Sequence, residues 1–374
     1  MEETPKRAIT EPPTGGVVKG PREGFIEDIE TNVALIEKRI KKDLKFKELT
    51  IGRYTKTKIK LAYIESIADE EVAENIEKKL KKIDIDGVID SYYLVEFLQE
   101  RTYSFVKQVS ADEKPDSVCA KLLEGRVAIL VDGSPIVLCV PYLLLEDLQA
   151  SDDYYSNHTS ASLSRAIRFF GALIAILLPA LYIALKLHHF ALVPLPALLA
   201  LIGDGGGSAL SPMFETIGAL ILFEIIMMAT LSMPKNLGAP IGIVGAIVLG
   251  DTAVNSGLIS GSTVLVCAIA SVTSFCIPNL SSQISLLKFT ACFIGAFFGL
   301  FGIMLALIVF VIYVCGLNNF GTPILAPFAP HIKEDAKDGI LKSALPEMVM
   351  RPKSIPNKNP VRAKIKQRSE DKNG

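Results

Sequence analysis

The sequence predicts an α/β soluble N-terminal domain followed by a polytopic α-helical transmembrane domain, with about four spans and further re-entrant or partial segments. The first observation is a change of composition near residue 160, where a globular pattern gives way to a mostly apolar stretch over 166–317. The second is the mean hydropathy of +0.38, which is high for a soluble chain. The third is the alternation of strand and helix patterns before residue 150, which is typical of an α/β domain.

These observations divide the chain into four parts. Residues 1–150 are predicted to form a cytoplasmic α/β domain, 151–164 a polar linker, 165–320 the transmembrane domain, and 321–374 a basic, largely disordered cytoplasmic tail. The first residues have no apolar core of the kind found in signal peptides, so the N-terminus is expected to be cytoplasmic. From residue 351 onward the chain has eight Lys and Arg but only two acidic residues, which is typical of a cytoplasmic end.

The elements of the first domain are predicted from periodicity and turn chemistry. Apolar residues at steps of three and four predict a helix over about 22–42, and a second amphipathic helix is predicted over 69–82. Residues 57–64 begin with alternation and then become apolar, which indicates a strand that ends buried. Two apolar runs within 126–140 are joined by the turn sequence DGSP and therefore predict a hairpin.

In the apolar half, four segments are long enough to cross a hydrocarbon core about 30 Å thick. They are residues 167–187, 213–233, 258–277 and 286–317. An even number of spans returns the C-terminus to the side of the N-terminus, which agrees with the basic tail. Residues 190–202 are apolar but contain two prolines, so a partial or re-entrant element is predicted there.

One segment, residues 238–257, does not fit a plain helix bundle, because it is apolar and rich in glycine and yet carries Asp251 and Asn255. An ionisable group at membrane depth needs a cavity, a partner or water, so these two are candidate pore or intramembrane polar residues. The alternative is that Asp251 lies in a loop at the membrane surface. Small residues about four apart also let helix backbones approach closely. The predicted helix-packing glycines are Gly238, Gly242, Gly245 and Gly250.

Glu224 is a third intramembrane candidate, and the case for it is weaker. It lies with Glu215 in the predicted span 213–233. The two acids also fit the polar face of a helix that lies in the membrane interface, so both interpretations stay open.

No pattern in the sequence predicts catalysis, a cofactor or a metal site. The six cysteines form no CxxC pair. His188 and His189 adjoin the end of the first span without an acid or cysteine nearby, which favours an interfacial position over metal binding. Ser134 lies in DGSP rather than in a GxSxG elbow. The basic tail has no interleaved aromatic residues, so we expect no nucleic-acid partner, and we expect the protein not to be an enzyme.

Several short stretches match a known family pattern in order and spacing. They are residues 20–25 (GPREGF), 31–36 (TNVALI), 52–58 (GRYTKTK), 83–87 (IDIDG), 124–133 (EGRVAILVDG), 178–184 (LPALYIA) and 320–330 (FGTPILAPFAP). On these residues the chain resembles the A subunit of the GerA-family spore germination receptors of endospore-forming bacteria. The resemblance runs from about residue 10 to residue 330.

The resemblance implies a function that composition and periodicity do not reveal. It implies a multi-pass protein of the spore inner membrane, in contact with membrane lipids and in a complex with B and C subunits. It implies a role in sensing nutrients and triggering germination. It further implies a homo-oligomer, in which a ring of A subunits conducts cations and the stretch at 238–257 is a candidate pore region.

Two features depart from the family pattern. Members usually carry a further α/β subdomain before the stretch at 20–25, so residues 1–150 are expected to match only part of the usual N-terminal region, as an N-terminally short form. The loop at 203–208 is unusually rich in glycine, where members often have a charged stretch. Two alternatives stay open: a secondary transporter, whose broken helices contain Pro and Gly, and a truncated non-conducting scaffold subunit of the same complex.

Overall fold

The computed structural model describes residues 8–12, 19–196, 199, 203, 210–232 and 250–363. The chain divides into two compact units. The soluble unit is built from Met1–Arg165 and Val314–Gly374, and the membrane unit from Ala166–Tyr313. The predicted fold class is confirmed, because a five-stranded α/β domain is followed by helices, and among the described residues three of them are long and apolar enough to cross a membrane.

The soluble unit is centred on an antiparallel sheet with the strand order β1-β2-β4-β5-β3. The strands are β1 (Leu44–Ile51), β2 (Thr57–Ile64), β3 (Ser110–Asp112), β4 (Val127–Val131) and β5 (Val137–Val140). The predicted hairpin is confirmed as β4 and β5, with Ile129 opposite Leu138. β1 escapes prediction because it is an edge strand, and the lysines and glutamate along it leave it largely polar.

Helices pack on both faces of this sheet, because successive residues of β2 and β4 point to opposite sides. The helices are α1 (Ile29–Arg39), α2 (Glu70–Lys81), α3 (Tyr92–Leu98) and α4 (Pro115–Glu124). Leu61 lies in one apolar core with residues of α2 and α3. Its neighbour Ala62 lies in the other core with residues of α1 and α4. The soluble unit therefore has three layers, with the sheet in the middle.

A buried ion pair joins the residue before β4 to the short helix that follows β5. Glu146, in the short helix Leu144–Leu148, pairs with Arg126, and Lys121 lies 3.6 Å from its other carboxylate oxygen. Burial by itself would raise the pKa of Glu146, but the charges of Arg126 and Lys121 outweigh it and lower this pKa from 4.5 to about 2. A carboxyl group with a lowered folded-state pKa stabilises the fold above the unfolded pKa, and the contribution is lost as the pH falls through the folded value.

We expect this pair to make the soluble unit sensitive to acid. Between pH 4.5 and about pH 2, wild-type protein should lose about 3 kcal/mol more than the Glu146→Gln variant does. The variant should be less stable than wild type at pH 7, where the wild-type pair is charged. Thermal unfolding of the full chain in detergent, followed by circular dichroism across this range, measures the difference. The same pH dependence in both proteins would contradict the assignment.

The membrane unit and the segment leading into it are helical. The helices are α5 (Ser151–Tyr154), α6 (His158–Leu187), α7 (Pro212–Ser232), α8 (Gly261–Ser274) and α9 (Ser281–Cys315). α6 contains the predicted span 167–187, and α7 covers residues 213–232 of the predicted span 213–233, whose last residue lies outside the described residues. The predicted linker is largely helical, because α5 and the first two turns of α6 occupy it. The predicted span at 258–277 differs more, since the 14 residues of α8 reach only about 21 Å, short of a hydrocarbon core.

α9 is broken at Gly299, whose φ of 61° and ψ of −153° lie outside the helical region. This conformation is accessible essentially to glycine alone. A Cβ atom at Gly302 would lie 3.3 Å from the carbonyl oxygen of Ile294, although residues eight apart in a straight helix are about 12 Å apart. The two halves of α9 are therefore bent towards each other, and the predicted span at 286–317 consists of two helical segments.

After α9 the chain returns to the soluble unit. Asn319, in the small hairpin of β6 (Asn318–Asn319) and β7 (Thr322–Pro323), donates a hydrogen bond to the carbonyl oxygen of Gln108. Arg351 donates to the carbonyl oxygen of Leu123 at 2.7 Å. The structure thus differs from the expected disordered tail over 321–363, where hydrogen bonds and the buried side chains of Ile324, Ala326 and Ile355 hold the chain in place. Residues 364–374 lie outside the described residues.

Arg165 joins the first turns of α6 to this C-terminal segment. Its side chain is 1% exposed and forms ion pairs with Asp153 at 3.2 Å and Asp338 at 2.8 Å. The hydroxyl group of Tyr154 donates to Asp338 at 2.9 Å, and the guanidinium group of Arg165 lies over the Tyr154 ring. We call these four residues the Arg165 clasp. It lies where the predicted transmembrane domain begins, so it connects the start of the first apolar helix to residues 333–343.

Candidate functional site in the membrane unit

The first charged group in the membrane unit is the ion pair of Glu224 on α7 and Lys288 on α9. The ammonium nitrogen of Lys288, a side chain that is 1% exposed, lies 3.2 Å from Glu224 Oε2. Ser285, one turn before Lys288, donates its hydroxyl hydrogen to Glu224 Oε1 at 2.7 Å. The sequence left Glu224 either in a pore or at an interface. The structure pairs it with a lysine between two apolar helices, where desolvation favours a charged partner.

A second charged group surrounds Glu215, which lies at the start of α7 and is 1% exposed. Its Oε1 atom accepts the backbone N–H of Ser260, the N-cap residue of α8, and so lies at the positive end of that helix. Lys186, in the last turn of α6, places its ammonium nitrogen 3.6 Å from Glu215 Oε2 and 3.3 Å from the Ser260 hydroxyl. Glu215 therefore holds α6, α7 and α8 together.

Hydroxyl groups continue this arrangement. Tyr182 lies one helical turn before Lys186, and its hydroxyl group is 2.9 Å from that of Ser262 and 2.9 Å from that of Thr263. The hydroxyl groups of Ser260 and Thr263 are 2.8 Å apart. We call the cluster of one acid, one lysine and four hydroxyl groups the polar cage. Its members are Tyr182, Lys186, Glu215, Ser260, Ser262 and Thr263.

The histidine pair supports the break in α9. Nε2 of His188 lies 2.7 Å from the carbonyl oxygen of Ala296, in the turn where Gly299 interrupts the helical hydrogen-bond ladder. A Cβ atom at Gly299 would lie 2.9 Å from His189 Nε2, so both histidines lie against the break. Of the described residues, no three His, Cys, Asp or Glu side chains are grouped to hold a metal ion. The His188 side chain therefore joins the residues that follow α6 to the backbone of α9.

Asp251 and Asn255 lie one turn apart in the helical residues 250–255, and both side chains are exposed. Among the described residues, no hydrogen bond or ion pair joins the Asp251 carboxylate to another group. A Cβ atom at Gly250 would lie 3.9 Å from Val264 Cγ1, which is ordinary contact, so the described part of this segment does not require glycine there. Gly238, Gly242 and Gly245 lie outside the described residues.

The structure therefore brings some predicted residues into charged groups and leaves others apart. Glu224 is paired, Glu215 is the centre of the polar cage, and Asp251 with Asn255 lies separately on an exposed surface. Lys186 and Lys288 are the members of these charged groups that the sequence did not predict. A single lysine inside or beside an apolar run was the available signal, since such a charge needs a partner in the membrane.

A soluble α/β domain followed by apolar helices with ion pairs between them defines a class, namely membrane proteins with a large extramembrane domain. The family model of the Bacillus/Clostridium GerA spore germination protein matches residues 1–354. The chain therefore belongs to the GerA family, and the resemblance seen in the sequence is confirmed.

Individual relatives agree with this membership. Spore germination protein A1 of Bacillus subtilis (strain 168) is 35% identical over 356 residues, which are 94% of this chain and 73% of the relative. Spore germination protein KA of the same organism is 33% identical over 368 residues, covering 98% of this chain and 68% of the relative. The uncharacterized membrane protein YfkQ of that organism is 37% identical over 350 residues, covering 93% and 68%.

A solved structure is also similar in sequence to part of the chain. It is the N-terminal domain of the A subunit of the Bacillus megaterium spore germinant receptor GerK3, which is 42% identical. The match covers 32% of this chain and 97% of the solved chain, with a TM-score of 0.27.

Proposed function

We propose that the chain is the A-type subunit of a nutrient-sensing germination receptor in the spore inner membrane, acting with B and C subunits. Its membership in the GerA family and the names of its relatives as spore germination proteins support this proposal. In this proposal both termini are cytoplasmic, membrane lipids surround the apolar helices, and the subunit is not an enzyme. Copies of the chain assemble into a ring that conducts cations when nutrient is sensed.

The exposed carboxylate of Asp251 is the observation that supports conduction. The described part of the membrane unit holds three acidic residues, and two of them, Glu215 and Glu224, are ion-paired. Asp251 remains exposed, with Asn255 one turn away on the same side. A carboxylate facing lipid is costly, so this surface needs water or another subunit. A ring of copies around an aqueous pore supplies both, and a ring of acidic side chains favours cations.

Replacing Asp251 with asparagine tests this role, because the change removes the charge and keeps the size. In liposomes that contain the reconstituted receptor, potassium flux through the Asp251→Asn variant should fall severalfold, with a smaller preference for cations over anions. Thr252→Ala, at the neighbouring exposed position, is the matched control and should conduct as wild type does. Wild-type flux and selectivity in the Asp251→Asn variant would remove this residue from the pore.

The break in α9 favours one second candidate, a secondary transporter, since discontinuous helices line the binding sites of such proteins. The same liposomes separate the two functions. A transporter would show uptake of a nutrient coupled to an ion gradient, whereas the proposed channel subunit passes ions without coupled uptake. A non-conducting scaffold would show neither, and deleting its gene would leave nutrient-triggered ion release intact in spores that retain related receptors.

A further inference from the structure

We propose that the polar cage is a binding site for a monovalent metal cation, which the tethered ammonium group of Lys186 occupies in this structure. The ammonium nitrogen lies 3.3 Å from the hydroxyl oxygen of Ser260, 3.6 Å from a carboxylate oxygen of Glu215 and 5.0 Å from the ring centre of Tyr182. Carboxylate and hydroxyl oxygens beside an aromatic face are the surroundings that a compact monovalent cation accepts.

The hydroxyl groups of the cage offer acceptor oxygens to a cation. Each hydroxyl group has one hydrogen to donate and two lone pairs that accept. The Thr263 hydroxyl group is 2.9 Å from that of Tyr182 and 2.8 Å from that of Ser260, and the Ser262 hydroxyl group is 2.9 Å from that of Tyr182. Such a cluster has more lone pairs than hydrogens, so it is completed by a group that only donates or by a metal ion.

Burial makes an occupant necessary. Glu215 is 1% exposed, Thr263 is fully buried and Ser260 is 3% exposed. Without the lysine charge, the backbone N–H of Ser260 would be the donor that the Glu215 carboxylate retains among the described residues. A buried carboxylate without a counter-charge is strongly destabilising. A potassium or sodium ion in the cage would restore the charge balance.

The position of Lys186 allows the exchange. It lies in the last turn of α6, one residue before the helix ends at Leu187, and its side chain is 15% exposed. Rotation of its flexible four-carbon stem can carry the ammonium group out of the cage without moving the helix. Lys288 lacks this arrangement, since its side chain is 1% exposed and it shares Glu224 with the single hydroxyl group of Ser285. The proposal concerns binding alone and does not require that a ring of copies conducts ions.

The test removes the ammonium group of Lys186 by mutation and supplies potassium or sodium ions in its place. The full chain carrying Lys186→Met is purified in detergent with N-methylglucamine chloride, whose cation is too large for the cage. Replacing this salt with potassium or sodium chloride at constant ionic strength should raise its Tm by about 3–5 °C, in a saturable manner. Wild type and Lys186→Arg, whose tethered charge a free ion must first displace, should show a much smaller shift. A Lys186→Met variant whose Tm is the same in all three salts would overturn the proposal.

A double variant separates binding from misfolding. Lys186→Met with Glu215→Gln has neither charge, so it should fold in all three salts and lose the cation response. If folded Lys186→Met can be purified in potassium or sodium chloride but not in N-methylglucamine chloride, that result would support the site. If the single variant is recovered in no salt while the double variant folds, the cage does not accept a free cation and the proposal fails.

Discussion

Lys288→Met is expected to destabilise the membrane unit by about 3 kcal/mol, because it leaves the carboxylate of Glu224, which is 17% exposed, between helices without its cation. The ammonium nitrogen of Lys288 lies 3.2 Å from that carboxylate, and its side chain is 1% exposed. Methionine keeps most of the length of the side chain and none of its charge, so the lost charge accounts for the effect. Thermal unfolding of the purified full chain in detergent measures it as a clear fall in Tm.

The double variant Lys288→Met with Glu224→Gln is the decisive control, because neutralising both partners removes the uncompensated charge. It should regain most of the lost stability, since neutral replacements of buried ion pairs are often tolerated. Leu286→Met, at an exposed position two residues away, should leave the Tm unchanged. Potassium should not rescue the single variant, because Ser285 alone offers a hydroxyl group there. Equal Tm values for Lys288→Met and Leu286→Met would show that the pair contributes nothing.

The ion pair of Glu224 and Lys288 shows which part of the site can be predicted from a single sequence. Glu224 can be selected from the sequence, because an acid within an apolar run is conspicuous. Its partner cannot, since Lys288 lies 64 residues further along, on another helix. Periodicity reports which residues share a face of one helix, and it carries no information about which helices pack together. The same reason hides the polar cage, which joins α6, α7 and α8 through residues up to 81 positions apart.

Element boundaries show a related limit. Hydropathy finds α6 and α7 because length and apolar character decide such spans. It does not find the break in α9, because Gly299 is one of several glycines in an apolar run and only its conformation sets it apart. The C-terminal segment is missed for the opposite reason. Its polar residues resemble a solvated tail, yet Asn319 and Arg351 use their polarity to bind backbone carbonyl groups of the soluble unit.

Arg165→Met is expected to release the C-terminal segment from the start of α6. The change leaves Asp153 and Asp338 without their shared cation, and Asp153 is itself only 3% exposed. Breaking a buried pair in this way costs about 3–5 kcal/mol. Hydrogen–deuterium exchange of the full chain in detergent should become faster in residues 333–343, while the strands β2 and β4 keep their protection. In Arg165→Lys, the exchange of residues 333–343 should be faster than in wild type and slower than in Arg165→Met. Lysine keeps the charge but loses the planar fork that reaches both acids.

Arg53→Met is the matched control for this prediction. Arg53 also pairs with an acid, Asp84, at 2.7 Å, but both side chains are largely exposed, so solvent screens the pair. Losing this pair should therefore leave hydrogen–deuterium exchange in residues 333–343 unchanged. If Arg165→Met leaves residues 333–343 as protected as Arg53→Met does, the clasp does not hold the segment. If the segment is released, the first apolar helix and the C-terminal segment are mechanically joined at Arg165.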